Sequence, residues 1–282
     1  MRLSFTKMQA AGNDYIYLDC RTQGLPPRAA ELARRLSRRR VSVGADGLIC
    51  IAPPRLADAD GTMVMYNADG SPGAMCGNGV RCVAEYLYEH GLQKDRIELD
   101  TCGAGRKTLY RLGPHLWRAG MGRFSARAED VPVAGFGAGP LPDLPLVAGG
   151  RQWQVVCLSM GNPHCVVPCR ETPPTGAQLA AWGRALAEHP AFPEGANVEF
   201  VRQEGPCALA MTVWERGSGA TQACGTGACA AAAAFVLRGA CPRQAEIEVA
   251  QPGGTLQVQV LADDTVLLTG PALTVFEGTV EI

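Results

Sequence analysis

The chain has twelve cysteines but no Cys-x-x-Cys pair, and its nearest approach to metal-ligand spacing is His164-Cys165 with Cys169. Structural zinc takes two close ligand pairs, so no metal site is expected. Lysine is scarce: Lys7, Lys94 and Lys107 are the only three, and none stands in a glycine-rich phosphate-binding context. A pyridoxal Schiff base is therefore not expected. No Gly-x-Gly-x-x-Gly or Walker loop falls in a strand-to-helix setting, which argues against nucleotide binding. A formal net charge of −1 gives no reason to expect a nucleic-acid or membrane partner. The densest basic stretch, Arg34 to Arg40, reads as the solvated face of one helix. The longest apolar run, Ala228 to Leu237, is too short to cross a bilayer, and Lys7 and Asp14 interrupt the segment where a secretory signal needs an apolar core. A cytoplasmic location with reduced thiols is expected.

What is present is an ordinary globular composition, 47% hydrophobic and 19% charged over 282 residues, enough for one large or two medium domains. Within it two short segments echo each other. Ala74-Met75-Cys76-Gly77-Asn78-Gly79 and Gln222-Ala223-Cys224-Gly225-Thr226-Gly227 share a Cys-Gly-x-Gly core, 224 − 76 = 148 residues apart. A second echo precedes each: Gly12-Asn13-Asp14 before strand-like Tyr15 to Leu18, and Gly161-Asn162-Pro163-His164 before Cys165 to Val167, offset by 162 − 13 = 149. Two motifs recurring in the same order at nearly the same offset predict a duplicated unit, with one cysteine from each half facing across their junction.

Both cores precede a run that reads as helix, Val80 to Glu89 and Ala228 to Leu237. Each cysteine thus falls where a loop becomes a helix N-terminus, where unpaired N–H groups and the positive dipole end lower a thiol pKa and bind anions. Elsewhere the pattern predicts strands at Leu3 to Met8, Gly47 to Ile51, Met63 to Tyr66, across Ile97 to Met121, and at Gln154 to Leu158, Val198 to Arg202 and Ala208 to Trp214. Helices are expected near Arg28 to Arg39 and Gln178 to Glu188, a loop over Val131 to Gly150, and antiparallel strands from Glu246 onward, turning at Pro252-Gly253-Gly254 and Asp263-Asp264. The texture is α+β. Cys20, Cys50, Cys102, Cys157, Cys207 and Cys241 lie in or beside apolar runs and read as small core residues.

An opposed pair of helix-start thiols suits proton abstraction on one face of a ligand with delivery from the other, whereas a single close pair suits redox work. Asn67 and Glu215 each lie nine residues before their cysteine (76 − 67 = 9; 224 − 215 = 9), so the halves bring Asn67, Glu215 and Arg216 to comparable places. Arg216 can grip a carboxylate with two hydrogen bonds and Glu215 can take an ammonium, the two ends of an amino acid.

Gly12-Asn13-Asp14-Tyr15, Asn67-Ala68-Asp69-Gly70-Ser71, the block Met75 to Cys82, Gly161-Asn162-Pro163-His164, Asn197-Val198-Glu199-Phe200 and the block Glu215 to Ala228 resemble the signatures of diaminopimelate epimerases, in that family's order. The resemblance implies an isomerase that needs no cofactor and converts LL-2,6-diaminopimelate to the meso form, a lysine and cell-wall precursor. It implies two pseudo-symmetric α/β domains, each a mostly antiparallel sheet around a central helix: residues 1–121 with 270–282 carrying Cys76, and 122–269 carrying Cys224. Carried over by position, Cys76 and Cys224 are the acid and base. Gly77, Asn78, Gly225 and Thr226 hold the reacting carboxylate through helix-start N–H groups. Asn13, Asn67, Asn162, Asn197, Glu215 and Arg216 bind the remaining polar groups, and His164 with Glu215 tunes the thiols. The partner is the small-molecule substrate, and a homodimer is compatible with the family.

Departures from the family pattern occur at Gln9, Gly47, where some members have a substrate-contacting Gln, and Pro72. They bear on fine specificity. The rival within the same fold is a two-cysteine racemase of proline, hydroxyproline or histidine, and the rival from another class is a thiol–disulfide oxidoreductase. Arg216 with Asn67, Asn162 and Asn197 favours a substrate with a distal amino-acid group, which proline lacks.

Overall fold

The computed structural model describes residues 2–136 and 143–281. Its first run of elements is β1 (Arg2–Ala10), β2 (Asn13–Asp19), α1 (Ala29–Leu36), β3 (Gly47–Ala52), β4 (Gly61–Asn67), β5 (Pro72–Gly73), α2 (Gly77–Leu87), β6 (Arg96–Thr101), β7 (Gly105–Gly113) and β8 (Leu116–Arg123). The second opens with β9 (Leu144–Ala148) and continues through β10 (Arg151–Ser159), β11 (Pro163–Cys169), α3 (Gly176–Ala187), β12 (Asn197–Gly205), β13 (Ala208–Glu215), β14 (Gly219–Thr221), α4 (Gly225–Leu237), β15 (Glu246–Gln251) and β16 (Gly254–Val260). Then β17 (Thr265–Pro271) and β18 (Leu273–Glu281) close the chain. The chain divides into two compact units, residues 1–120 with 269–282 and residues 121–268.

Each unit repeats the other's strand pairing. In the first, β1 pairs antiparallel with β2, β2 parallel with β3, β3 antiparallel with β4, β4 antiparallel with β5 and parallel with β6, and β6 antiparallel with β7. In the second the same sequence of antiparallel and parallel pairs runs through β10, β11, β12, β13, β14, β15 and β16. Parallel neighbours need a crossover, and α1 and α3 supply the equivalent ones between β2 and β3 and between β11 and β12. The duplication read from two short motifs extends to the whole hydrogen-bonded framework.

At the centre of each unit lies a helix buried on all sides. Every residue of α2 is buried, including the charged Arg81 and Glu85. In α4 only Thr226 and Leu237 escape burial. A helix that is apolar all round has no solvent face to offer, and the run Ala230 to Val236 is of that kind. α1 and α3 are one-sided by contrast: α1 buries Ala29, Leu32, Ala33 and Leu36, the spacing of one helical face.

Four expectations require correction. α1 ends at Leu36, not near Arg39, because the chain turns out of the helix and Arg40 adopts a left-handed φ of 71°. The basic stretch is consequently no uniform solvated face, since Arg39 bonds Asp14 and Asp46 and Arg35 donates to the Glu281 carbonyl. The stretch expected as a loop after Val131 contains β9, which pairs antiparallel with β10; its residues 137–142 lie outside the described residues. Cys102 is exposed and Cys207 half-buried, both in turns between strands, so these two are not core residues.

Candidate active site

Cys76 is the N-cap of α2, with extended backbone (φ −131°, ψ 119°), and its Sγ accepts the N–H of Gly79 at 3.3 Å. That geometry follows from the motif: the residue before a helix must be non-helical for its side chain to turn back onto the third N–H. The thiol donates to Asn13 Oδ1 at 3.2 Å. Asn13 Nδ2 in turn donates to Asp46 Oδ2 at 2.7 Å, which settles which end of the amide faces the sulfur.

Behind Asn13 lies a charged frame. Lys7 approaches Asp14 at 2.6 Å and donates to the Gly44 carbonyl, while Arg39 bonds both Asp14 and Asp46, the latter at 2.8 Å. Burial pushes the Asp14 carboxyl up, but the hydrogen bonds from Arg39 and Lys7 outweigh it and hold the group below its ordinary value. A carboxylate with a lowered folded-state pKa adds stability that is complete above the unfolded pKa of about 3.9 and is lost as pH falls through the lower folded value. Asp14→Asn should therefore melt at lower temperature than the parent at pH 7, and the gap should narrow below about pH 4. Thermal melts from pH 7 to pH 2.5 check this; a gap that stays constant would remove Asp14 ionisation as its cause.

The remaining first-unit residues divide. Asn78 is 2% exposed and its Oδ1 accepts from Arg81 Nη2 at 2.7 Å, so the amide faces inward. What Asn78 can offer a ligand is its backbone N–H, one of the helix-start donors without an intrahelical partner. Asn67 ends β4 and donates from Nδ2 to Ser71 Oγ at 2.9 Å, within a tight turn where the Gly70 N–H bonds the Asn67 carbonyl. Gly47 has no room to be anything else: a Cβ there would lie 2.3 Å from the Tyr66 carbonyl oxygen and 2.7 Å from the Tyr15 ring.

The second unit repeats the cap. Cys224 (φ −123°, ψ 115°) precedes α4, and its Sγ accepts the Gly227 N–H at 3.3 Å, with Thr226 Oγ1 at 3.5 Å. Its own N–H donates to Gln251 Oε1 at 2.8 Å. Here the expectation of a lowered thiol pKa is reversed. Burial pushes the Cys224 thiol well up, the Glu215 and Glu199 charges push the same way, and the bonds from Thr226 and Gly227 only partly offset them. Cys224 rests as a thiol.

Glu215 ends β13 as Asn67 ends β4, and its Oε1 accepts from Thr221 Oγ1 at 2.5 Å. Arg216 is exposed; its N–H donates to Asn197 Oδ1 at 2.9 Å and its Nη1 to the Glu194 carbonyl at 2.9 Å. Asn197 also donates to the Pro163 carbonyl at 3.2 Å, so it shapes the turn that carries Arg216. His164 is fully buried, with Nδ1 2.7 Å from Glu199 Oε1 and Nε2 3.0 Å from Asn162 Oδ1. The carboxylate on His164 is thus Glu199, whereas Glu215 bonds Thr221.

Sequence reasoning missed Glu199, Gln251, Arg81 and Asp46. Glu199 had a signal: it stands two residues after Asn197 on β12, hence on the same face, and a carboxylate in a fully buried strand stretch calls for a partner. Gln251 had none, because it reaches Cys224 from 27 positions away. Among the described residues, one group could hold a metal ion, Glu85, Glu89 and His115, with ligand atoms within 4.8 Å of one another. It surrounds the end of α2 opposite Cys76 and includes none of the residues above.

A profile of the family described as diaminopimelate epimerase matches residues 5–110 and 156–275. Among curated proteins, the chain is 41% identical over 281 residues to a diaminopimelate epimerase of Moorella thermoacetica, covering 98% of each chain. It is 42% identical over 286 residues to one of Synechococcus elongatus, covering 100% of this chain and 99% of the other. Among solved structures, a probable proline racemase from Agrobacterium radiobacter superposes with a TM-score of 0.72 at 19% identity, covering 99% of this chain and 93% of that one. A hydroxyproline epimerase from Agrobacterium vitis gives 0.71 at 17% identity, covering 99% and 92%. These two likenesses are of fold.

Proposed function

The chain belongs to the diaminopimelate epimerase family and is an isomerase, and from that premise we propose that Cys76 and Cys224 are the two groups that invert one α-carbon of 2,6-diaminopimelate, LL to meso. The observation that carries the reading is the repeated cap: two cysteines in the same backbone conformation, each with its sulfur 3.3 Å from the N–H three residues on, one in each unit. Each unit is then one epimerase half.

Inversion requires a proton to leave one face of a carbon and another to arrive on the opposite face. One sulfur, as thiolate, takes the α-proton; the electron pair of the broken C–H bond moves into the adjoining carboxylate; the other sulfur, as thiol, returns a proton and becomes thiolate. The sulfurs have then exchanged states, and the reverse reaction runs the same steps backwards. An α-proton is too weakly acidic for a thiolate alone. The helix-start N–H groups of Gly77, Asn78, Gly225 and Thr226 supply the fixed donors that stabilise the developing carboxylate charge.

In this reading Asn13 orients the Cys76 thiol, and Asn162 is held by His164 for substrate contact. Asn67, Glu215 and Arg216 read the distal ammonium and carboxylate, with Asn197 holding the Arg216 turn. The substrate is the only small-molecule partner the reading needs. A homodimer is part of it, with β18, which pairs with β1 and exposes Val275 and Phe276, as the surface a second copy would cover. A cytoplasmic location is proposed as well; among the described residues, no helix is long and apolar enough to cross a membrane.

Incubation with LL-diaminopimelate in deuterated water tests the reading. The meso product should carry solvent deuterium at the inverted carbon, and proline and histidine should remain unlabelled; labelling of proline instead would transfer the assignment to the racemase rival. Arg216→Lys should raise KM about 10-fold or more with a smaller change in kcat, because a lysine cannot make the planar two-bond contact and a charged hydrogen bond contributes about 1.5–3 kcal/mol. Steady-state kinetics decide, and an unchanged KM would make Arg216 a surface residue.

A further inference from the structure

In the second half-site a carboxylate is buried further than its bonds explain. Glu199 is fully buried; its Oε1 is 2.7 Å from His164 Nδ1, and its Oε2 has no hydrogen-bond partner. Buried polar atoms are nearly always paired, so an orphaned carboxylate oxygen in a strand interior asks for a reason. Its position gives one. A Cβ placed on Gly227 would lie 2.8 Å from Glu199 Oε1 and 3.2 Å from its Cγ, so the carboxylate is packed against the first turn of α4 in space that only a glycine leaves open. Gly227 is the residue whose N–H holds the Cys224 sulfur. The last residue of the Cys-Gly-x-Gly core is therefore glycine in this unit because the Glu199 carboxylate sits behind it.

We propose, on the reading of Cys224 as an acid–base group, that Glu199 is a positioning residue of this half-site: its Oε1 fixes the His164 ring and lies against the first turn of α4, so that the carboxylate stands behind the turn that holds Cys224. The positive end of the helix makes that location tolerable for a carboxylate without further bonds. The same charge disfavours a second negative charge on the nearby sulfur, in line with the raised Cys224 thiol, to which Glu215 on β13 also contributes. The ionisable groups around Cys224 are then Glu199 from β12, Glu215 from β13 and, through Glu199, His164 from β11. Glu215 lies on a half-buried strand end, whereas Glu199 has no exposure, so Glu199 is the charge that bulk ions screen least. On the His164 ring, a carboxylate at Nδ1 requires the proton on that nitrogen, which orients the ring and, through Nε2, the Asn162 amide.

The test needs no substrate. Glu199→Gln keeps the shape and removes the charge, and the pH dependence of Cys224 alkylation by iodoacetamide is followed by peptide mapping, with Cys76 as internal reference. The variant should alkylate Cys224 about 10-fold faster at neutral pH, a shift of about one unit in its profile, while Cys76 is unchanged; Glu199→Asp should restore the parent's slow rate. A Cys224 profile identical to the parent's in folded Glu199→Gln would overturn the proposal. Should that variant not fold, nitrogen NMR of His164 in the parent decides: a proton on Nδ1 from pH 6 to 8 is expected, and the Nε2–H tautomer would overturn it. Because neither readout involves turnover, failure here leaves the epimerase reading standing, and failure of that reading leaves these measurements interpretable.

Discussion

Cys76→Ala and Cys224→Ala should each lower kcat for epimerisation by about 10³-fold or more, because a positioned acid–base group contributes roughly 10²–10⁴-fold and inversion needs both. Neither change should unfold the protein. Each removes an N-cap acceptor, which costs about 1 kcal/mol at this position. The helices behind are held by burial along their whole length, so the melting temperature should fall only a few degrees. Exchange separates the two variants further. A variant with one sulfur left can still exchange the α-proton with solvent from the face that sulfur serves, so label should enter unreacted substrate without inverted product. With LL-substrate one variant should show this washout and the other should not, and with meso substrate the pair should swap behaviour. Inversion near the parental rate in either variant would end the two-base mechanism. Cys82→Ala and Cys229→Ala, further along the two helices beyond the glycine cores and fully buried, provide the controls and should retain most activity.

The cysteines were legible because duplication writes the same chemistry twice, and two copies at nearly one offset rise above what a single Cys-Gly-x-Gly could support. The start of each helix was not: Val80 and Ala228 were the expected first residues, whereas the helices begin at Gly77 and Gly225. Glycine has poor helix propensity, and only the turned-back sulfur of the cap reveals that the glycines are already helical. β9 was hidden by Pro145 within a glycine- and proline-rich stretch, although its Leu144, Leu146 and Ala148 alternate inward as a strand should. Asn13 and Asn162 were found as equivalents, but their surroundings differ: Asn13 is framed by Asp46 and bonds a sulfur, while Asn162 bonds a histidine. What supports Cys224 from beneath, Glu199 and Gln251, comes from strands far along the chain. Long-range pairing of this kind leaves little local pattern in a sequence, so the two capping cysteines could be read from it, Glu199 only through its place beside Asn197 on a buried strand, and Gln251 not at all.

Arg81→Met should have the largest effect on stability. Arg81 is fully buried, and its side chain folds back along α2 toward the residues that begin it, as helical side chains do. Nη1 donates to the Gly77 carbonyl at 3.0 Å, Nη2 to Asn78 Oδ1 at 2.7 Å, and Nε to the Pro271 carbonyl at 3.4 Å. A cation near a helix N-terminus is placed against the dipole, so these bonds, not the helix field, keep it there. Methionine fills much of the same volume but removes all three bonds; the Gly77 carbonyl keeps the backbone N–H four residues on, whereas Asn78 Oδ1 loses the donor that holds it. A buried acceptor left unpaired costs about 1–3 kcal/mol, and each further lost bond to a charged donor adds its own net contribution, so a total of about 3 kcal/mol is expected. At about 2–4 °C per kcal/mol for a protein of this size class, the melting temperature should drop by roughly 10 °C. The same change releases the Asn78 amide, which holds the first turn of α2 in the form that presents its N–H groups. The folded variant should therefore also lose transition-state stabilisation, read as a fall in kcat with a smaller change in KM. A melting temperature within about 2 °C of the parent's, less than 1 kcal/mol on that scale, would show that water satisfies these acceptors and that Arg81 does not hold the helix start that carries Cys76.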